Sequence, residues 1–294
     1  MTEPQSRTAG RRTAGRQTAD SLIADLRRHD RDRYQTALFA QTERREHLFA
    51  LYAFNHEIAK TAEVVSEAML GHIRLQWWRE SLEGIYAGTP RAHEIVEPLA
   101  GAVAAGGLPR AGLETLIDAR EFDLEDQPPA DLAALEGYAH GTSGVLQTLA
   151  LRILGVESAE AEEAAREVGI AWALVGLLRA IPFHARQKRL YLPVDLCHAA
   201  DLHAGPIFEL QSSDALAEVA RALAGAAEAH LEKARGAAGS VPRRALPALL
   251  LAPLADRHLR RLAKAGYDPF HPDLQREAPG QIWRLAWWAL RGRY

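Results

Sequence analysis

The chain has one cysteine, Cys197, among 294 residues, so an internal disulfide and any Cys-rich metal site are excluded. A reducing cytoplasm is the expected compartment. No run of roughly 18 apolar residues is present, which predicts no membrane-spanning helix, and no N-terminal apolar core of the secretory type is found. Net charge is small, −3, which argues against general nucleic-acid binding. A glycine-rich phosphate loop, a Gly-x-Ser-x-Gly elbow and a His-Glu-x-x-His pair are all missing. The common nucleotide-binding, hydrolase and metalloprotease classes go with them. Nowhere does apolar/polar alternation persist between turn signals, as a strand would require.

Helix signals are abundant instead. Hydrophobic residues make up 48% of the chain and charged ones 25%, the balance of a globular protein. Residues 1–19 stand apart: Arg7 to Arg16 is an imperfect Arg/Thr/Ala/Gly repeat with too little apolar mass to offset the entropy of ordering, and it reads as a flexible basic tail. From residue 20 to 294 one helical domain is expected. Leu48, Leu51, Tyr52, Asn55, Ile58, Ala59, Ala62 and Val65 recur at helical spacing on one face. Ser66 is placed to cap the next helix, which runs to about Tyr86 and stops at Gly88-Thr-Pro90. Pro109 suits the first turn of a helix reaching about Leu124. Asp131 to Leu154 reads as one helix closed by Gly155, and Ser158 opens a run that Pro182 should kink or end. Segments 213–235, 243–264 and 280–291 complete an all-α reading.

Two segments carry a resemblance. Ala50-Leu-Tyr-Ala-Phe-Asn-His-Glu-Ile-Ala-Lys-Thr-Ala-Glu63 resembles the first signature helix of squalene and phytoene synthases, where an Ala-Leu-Tyr-Ala-Phe-like start leads into Asp-Asp-x-x-Asp. Leu177-Leu-Arg-Ala-Ile-Pro-Phe-His-Ala-Arg-Gln-Lys-Arg-Leu-Tyr-Leu-Pro193 resembles the second, which in that family reads Leu-Arg-Asp-x-x-Glu-Asp before a basic stretch closing on Arg-x-Tyr-Leu-Pro. The resemblance spans roughly residues 30–290 and implies an isoprenoid-synthase-like helical bundle with a central cavity between the two signature helices.

In such a synthase an allylic diphosphate ionises, and Mg²⁺ bridging carboxylates and phosphate oxygens stabilises the departing charge. Carboxylates four residues apart share one helical face, so two helices can clamp the metal across a cavity. This chain departs there. The first motif's acid positions hold Ala59, Lys60 and Glu63, and the second's hold Ala180, Phe183 and His184. Loss of both acidic motifs, with Leu-Arg-Ala-x-Pro-Phe-His in the second, is similar to the complex I assembly factor 6 family. Met69 to Arg79, Leu192 to Cys197 and Tyr267 to Leu274 also resemble that family. It implies a synthase fold used without catalysis in assembling respiratory complex I, with complex I subunits as partners.

Two alternatives stay open: a prenyltransferase condensing isoprenoid diphosphates, for which alone Mg²⁺ would be needed, and a carrier of isoprenoid or lipid phosphate. The candidate cavity residues are Tyr52, His56, Lys60, Glu63, Arg179, His184, Arg189 and Tyr191, with no residue assigned to catalysis or metal. Charge reversal through Lys60, Arg179, His184, Arg186, Lys188 and Arg189 suits a metal-free anionic ligand; a solvated basic stretch after a helix end would look the same. Asp268, His271 and Asp273 read as a turn, and the acidic run Asp118, Glu121, Asp123, Glu125 and Asp126 as a solvated surface. Only one of Trp77 and Trp78 can face the core. The Trp/Arg-rich segment from Gln281 is expected to dock on the bundle, leaving a side for peripheral contact at the inner membrane.

Overall fold

The computed structural model describes residues 21–125, 127–236, 238–275 and 280–294. The expected basic tail over 1–19 lies outside the described residues, as does Asp126. Residues 21–29 are helical and lead into α1, Arg31–Ala37, whose N-cap Asp30 accepts from the backbone of Arg33. Long helices follow: α2 Thr42–Ala59, α3 Ala68–Tyr86, α4 Val96–Gly106 and α5 Arg110–Asp118. Leu132–Ala139, the π-turn His140–Gly144 and Val145–Ile153 run on as one rod, α6. The rest are α7 Ala159–Arg186, α8 Asp214–Gly236, α9 Leu251–Lys264 and α10 Gln281–Arg291, with short helical turns between them. No strand occurs among the described residues.

Local chemistry accounts for most ends. Asp131 caps α6, accepting from Ala134 N at 2.8 Å, and Ser158 caps α7, accepting from Ala161 N at 3.1 Å. Gly155, at φ +70°, turns the chain between them in the left-handed region where a side chain is disfavoured. Other boundaries differ from expectation. The face predicted to continue through Val65 breaks at Lys60, and a separate turn, Thr61–Val64, follows. Glu67 rather than Ser66 is the N-cap of α3, without a side-chain cap bond. Pro109 is the N-cap of α5 rather than its first helical residue, and the helix stops at Asp118 before a 3₁₀ turn, Phe122–Leu124. The expected 243–264 helix divides into Arg243–Ala245, Leu246–Leu249 and α9.

Pro182 does not end α7, which continues to Arg186. A proline costs one backbone hydrogen bond and bends the helix locally, and here Leu178, Ile181 and Ala185 remain buried on either side of it. Packing on both sides carries the helix past the defect. α7 is the axle of the bundle, packing against α6, α8 and α9. It is also, among the described residues, the one helix long and apolar enough to cross a bilayer. The absence of long apolar runs had predicted no such helix; more than half of the stretch is buried against its neighbours, which is the environment of a core helix. Where α7 crosses α6 the backbones nearly touch: a Cβ on Gly169 would sit 2.4 Å from the Ser143 carbonyl oxygen and 2.7 Å from Gly144 Cα. The π-turn lies at this crossing and sets Thr142 and Ser143 toward the cavity described next.

Candidate functional site

α2 and α7 both contribute to the wall of a cavity of about 270 Å³. α2 contributes Asn55 and Ala59, with Glu63 beyond it, and α7 contributes Ala173, Gly176, Leu177, Ala180, Phe183 and His184. These are helical repeats of one face. Arg33, Thr142, Ser143 and Tyr138 form the deeper wall, and Arg120, Asp123, Arg189 and Tyr191 the other. A larger hollow of about 700 Å³ adjoins it, sharing Ala62, Asp123, Arg189 and Tyr191.

The same geometry separates the expected site residues. Glu63, His184, Arg189 and Tyr191 are brought together in the cavity wall. Tyr52, His56 and Lys60 are not: they form the neighbouring stripe of α2, about 100° round the helix from Asn55, Ala59 and Glu63. Tyr52 is fully buried and its hydroxyl finds no partner in the protein, so burial drives its pKa far up. His56 stacks on His29 with ring centroids 4.9 Å apart, and burial lowers its pKa. Lys60 pairs with Glu57, whose second oxygen accepts from Arg74 at 2.7 Å. It shares that one carboxylate with Arg74 and does not line the cavity, contrary to the expected role. Arg179 also points elsewhere. It pairs with Asp32 at 3.4 Å, covers the Trp172 ring, and lines a separate hollow of about 430 Å³ with His258.

The cavity's electrostatic centre is Asp123, and it does not share the solvated surface expected for the acidic run around it. It is buried. One carboxylate oxygen accepts from the Tyr138 hydroxyl at 2.8 Å and the Tyr191 hydroxyl at 2.9 Å, and the other accepts from Arg120 at 3.2 Å. Arg120 donates to the Tyr138 oxygen as well, at 2.9 Å. Arg189 lies over the Tyr191 ring and donates to the backbone carbonyls of Asp123 and Glu125. A carboxylate this deep is tolerable only when ionically paired and hydrogen-bonded, and the three donors meet that condition. Its neighbours Asp118 and Glu121 do lie at the surface, pairing with Arg79. The signal available was position: Asp123 sits between apolar Phe122 and Leu124, and Tyr138 and Tyr191 supply phenols from two other segments.

Much of the basic cluster is thus committed to structure. His184 is half-buried beside Tyr191, ring centroids 4.6 Å apart, and burial first and Arg189 second hold its pKa down at about 4. It is a neutral imidazole at pH 7. Arg33 donates to Asp30 and, at 2.9 Å, to the Ser143 hydroxyl. Its Nε, with Arg120 Nε and Asn55 Oδ1, is buried without a partner in the protein. These are unspent hydrogen-bonding groups in the cavity wall: the two arginine Nε groups are donors suited to an anionic or polar head, and the Asn55 oxygen is an acceptor for a hydroxyl.

Mg²⁺ does not fit this site. Ala59 and Ala180 have no ligand atoms, Phe183 and His184 replace acids, and Glu63 is the one carboxylate left at the two motifs. Asp123 faces the cavity but both its oxygens are taken. Among the described residues no group of His, Cys, Asp and Glu is arranged to hold a metal. Asp268 behaves as a turn residue, accepting from Phe270 N at 2.9 Å and from the Ser212 hydroxyl at 2.7 Å. Trp78 is buried and Trp77 half-exposed against His93 and Arg91, the division that adjacency required.

The squalene/phytoene synthase family model matches residues 26–287. The complex I assembly factor 6 of Bos taurus is 33% identical over 252 residues, covering 86% of this chain and 76% of that protein. A presqualene diphosphate synthase of Rhodopseudomonas palustris is 30% identical over 207 residues, covering 69% and 73%. Among solved structures, a dehydrosqualene synthase superposes with a TM-score of 0.83 at 15% identity, over 95% of this chain and 97% of that one. A squalene synthase from Alicyclobacillus acidocaldarius superposes with a TM-score of 0.77 at 19% identity, over 87% and 97%.

Proposed function

The chain belongs to the squalene/phytoene synthase family, and from that premise we propose that it is a non-catalytic member that aids assembly of respiratory complex I from the cytoplasmic side. The observation that carries this reading is the cavity wall. Where a synthase of this kind needs two sets of carboxylates to hold Mg²⁺ against a diphosphate, this chain presents Ala59, Ala180, Phe183 and a neutral His184. The buried acid in the cavity wall, Asp123, is locked between two phenols and a guanidinium. Ionisation of an allylic diphosphate has no electrophilic support there. The mammalian relatives named as complex I assembly factors support the direction of the assignment. The cavity, with Arg33, Asn55, Arg120 and Arg189 in its wall, retains the means to hold an isoprenoid or lipid phosphate as a bound, unreacted ligand.

Two measurements test it. Deleting the gene should lower assembled complex I on native gels and NADH:quinone electron transfer in membranes, and re-expression should restore both; normal complex I without the protein would overturn the assignment. Purified protein with farnesyl diphosphate and Mg²⁺ or Mn²⁺ should release no diphosphate. Metal-dependent release that disappears in Glu63→Ala would establish the prenyltransferase reading instead, which the identity to presqualene diphosphate synthase keeps in view.

A further inference from the structure

The last helix presents a surface that the cavity does not use. α10 docks on the bundle by one face: Leu285 is 1% exposed, and Trp288, partly buried, packs against the core and lines a small hollow with Pro253 and Leu254 of α9. The opposite face carries Trp283, Trp287 and Leu290, exposed by 78%, 55% and 76%. At spacings of four and three residues these make one stripe, turned about 180° from Leu285 at 100° per residue.

Both ends of the helix are clamped, so the stripe is held outward by the fold. Gln281 donates to Asp32 at 2.6 Å and to Gln35 at 2.8 Å. At the other end Arg243 donates to the Leu290 carbonyl at 2.6 Å, and Arg235 to the Tyr294 carbonyl at 3.0 Å. The Tyr294 hydroxyl donates to the Ala234 carbonyl at 3.0 Å.

Charge indicates what covers the stripe. Between Gln281 and Tyr294 there are three arginines, Arg284, Arg291 and Arg293, and no acidic side chain, in a protein whose net charge is −3. Arg284 and Arg291 lie along one flank of the stripe, and the Arg291 guanidinium sits 4.1 Å from the centre of the Trp287 ring. In that posture the arginine stem and the indole share apolar cover while the charge stays at the water side. An amphipathic helix with indole rings on its outer face and arginines at its edge matches a lipid interface, where the rings settle at headgroup depth and the cations meet phosphate.

We propose that the outer face of α10 is a docking surface for an anionic lipid bilayer, entered by Trp283, Trp287 and Leu290 and held by Arg284 and Arg291. A protein partner is the competing occupant. The bilayer is favoured because every charged side chain from Gln281 to Tyr294 is a cation, Arg284, Arg291 and Arg293, with no acid among them, which complements a surface of phosphate.

The test uses the full chain with vesicles of phosphatidylcholine alone and of phosphatidylcholine mixed with phosphatidylglycerol, read by flotation. Binding is expected only to the anionic vesicles and should weaken as salt rises. Arg284→Gln with Arg291→Gln should weaken it roughly 30-fold, the combined effect of two cations near an anionic surface. Trp283→Ala with Trp287→Ala should abolish flotation. Circular dichroism and thermal melting should be unchanged in both variants, since these side chains lie outside the core. Brominated lipid should quench part of the tryptophan fluorescence in the wild type and not in the double tryptophan variant. Failure of the wild type to float with anionic vesicles at low salt would overturn the proposal, as would equal flotation of the double tryptophan variant. Loss of a cross-linked protein partner in that variant, with flotation unchanged, would reassign the stripe to a protein interface.

Discussion

Replacing Asp123 by asparagine is the sharpest probe of how this cavity is held. The aspartate receives three donors: the Tyr138 and Tyr191 hydroxyls on one oxygen and Arg120 on the other. Asparagine keeps a single acceptor oxygen and sets an NH₂ group against one of those donors. It also leaves Arg120 buried with no formal counter-charge, its Nε already lacking a partner in the protein. Removing one member of a buried ion pair costs about 3–5 kcal/mol. For a chain of this size that lowers the melting temperature by about 5–8 °C. Exposed pairs such as Arg110–Glu114 set the contrast, because water screens both partners and leaves little to lose. Differential scanning calorimetry or urea titration of Asp123→Asn reads the loss directly. Asp123→Leu combined with Arg120→Met, which removes the pair together, should recover the part that comes from the charge left behind, but not the part from the Tyr138 and Tyr191 hydroxyls that lose their acceptor. Tyr138→Phe removes two hydrogen bonds to charged partners, one to Asp123 and one from Arg120, and should cost about 3 kcal/mol. A loss below about 1 kcal/mol for Asp123→Asn would show that the network is solvated and that this carboxylate is available for other work. Added Mg²⁺ would then be expected to raise the wild-type melting temperature, an effect the closed network forbids.

Gly169→Ala should destabilise by more than the ordinary helix interior would suggest. Alanine raises helix propensity, but its Cβ would meet the Ser143 carbonyl and Gly144 Cα inside 3 Å, all of it backbone, so α6 and α7 must separate. Overpacking of this kind costs about 1–3 kcal/mol, and a melting temperature at or above wild type would refute the close approach. Acid should weaken the fold through His184. Its folded pKa of about 4 lies below the ordinary 6.5, so as pH falls through that window the unfolded chain takes up a proton that the folded chain refuses. Stability at its full value above pH 6.5 therefore declines toward pH 4. His258, held at about 3 by burial and then by Arg179 and Arg257, adds to the same slope. Melting curves of His184→Gln against wild type across that range should show a shallower decline, and identical slopes would remove His184 as a contributor.

The helices and their order were legible because they rest on local rules: periodic apolar faces, Asp131 and Ser158 as caps, and Gly155 as a turn. The family followed from two segments whose spacing and composition survive even though their acids do not. What stayed hidden was which side chains share a space. Tyr52, His56, Lys60 and Glu63 read alike along the chain, yet a rotation of about 100° sends the first three away from the cavity and only Glu63 into its wall. Arg179 and His184 part in the same way on α7. Asp123 shows the converse. Its neighbours in sequence are solvated acids, while its partners Tyr138 and Tyr191 arrive from segments 15 and 68 residues away, which no local pattern reports. Sequence motifs locate the helices that build the cavity, but the charge inside it is set by long-range pairing. That pairing leaves the old metal positions lined by small, apolar or neutral groups, with the adjoining cations bound to their own partners. A ligand recognised there would be gripped by the hydrogen-bonding edges of Arg33, Asn55 and Arg120, and Lys60→Ala should leave its affinity unchanged.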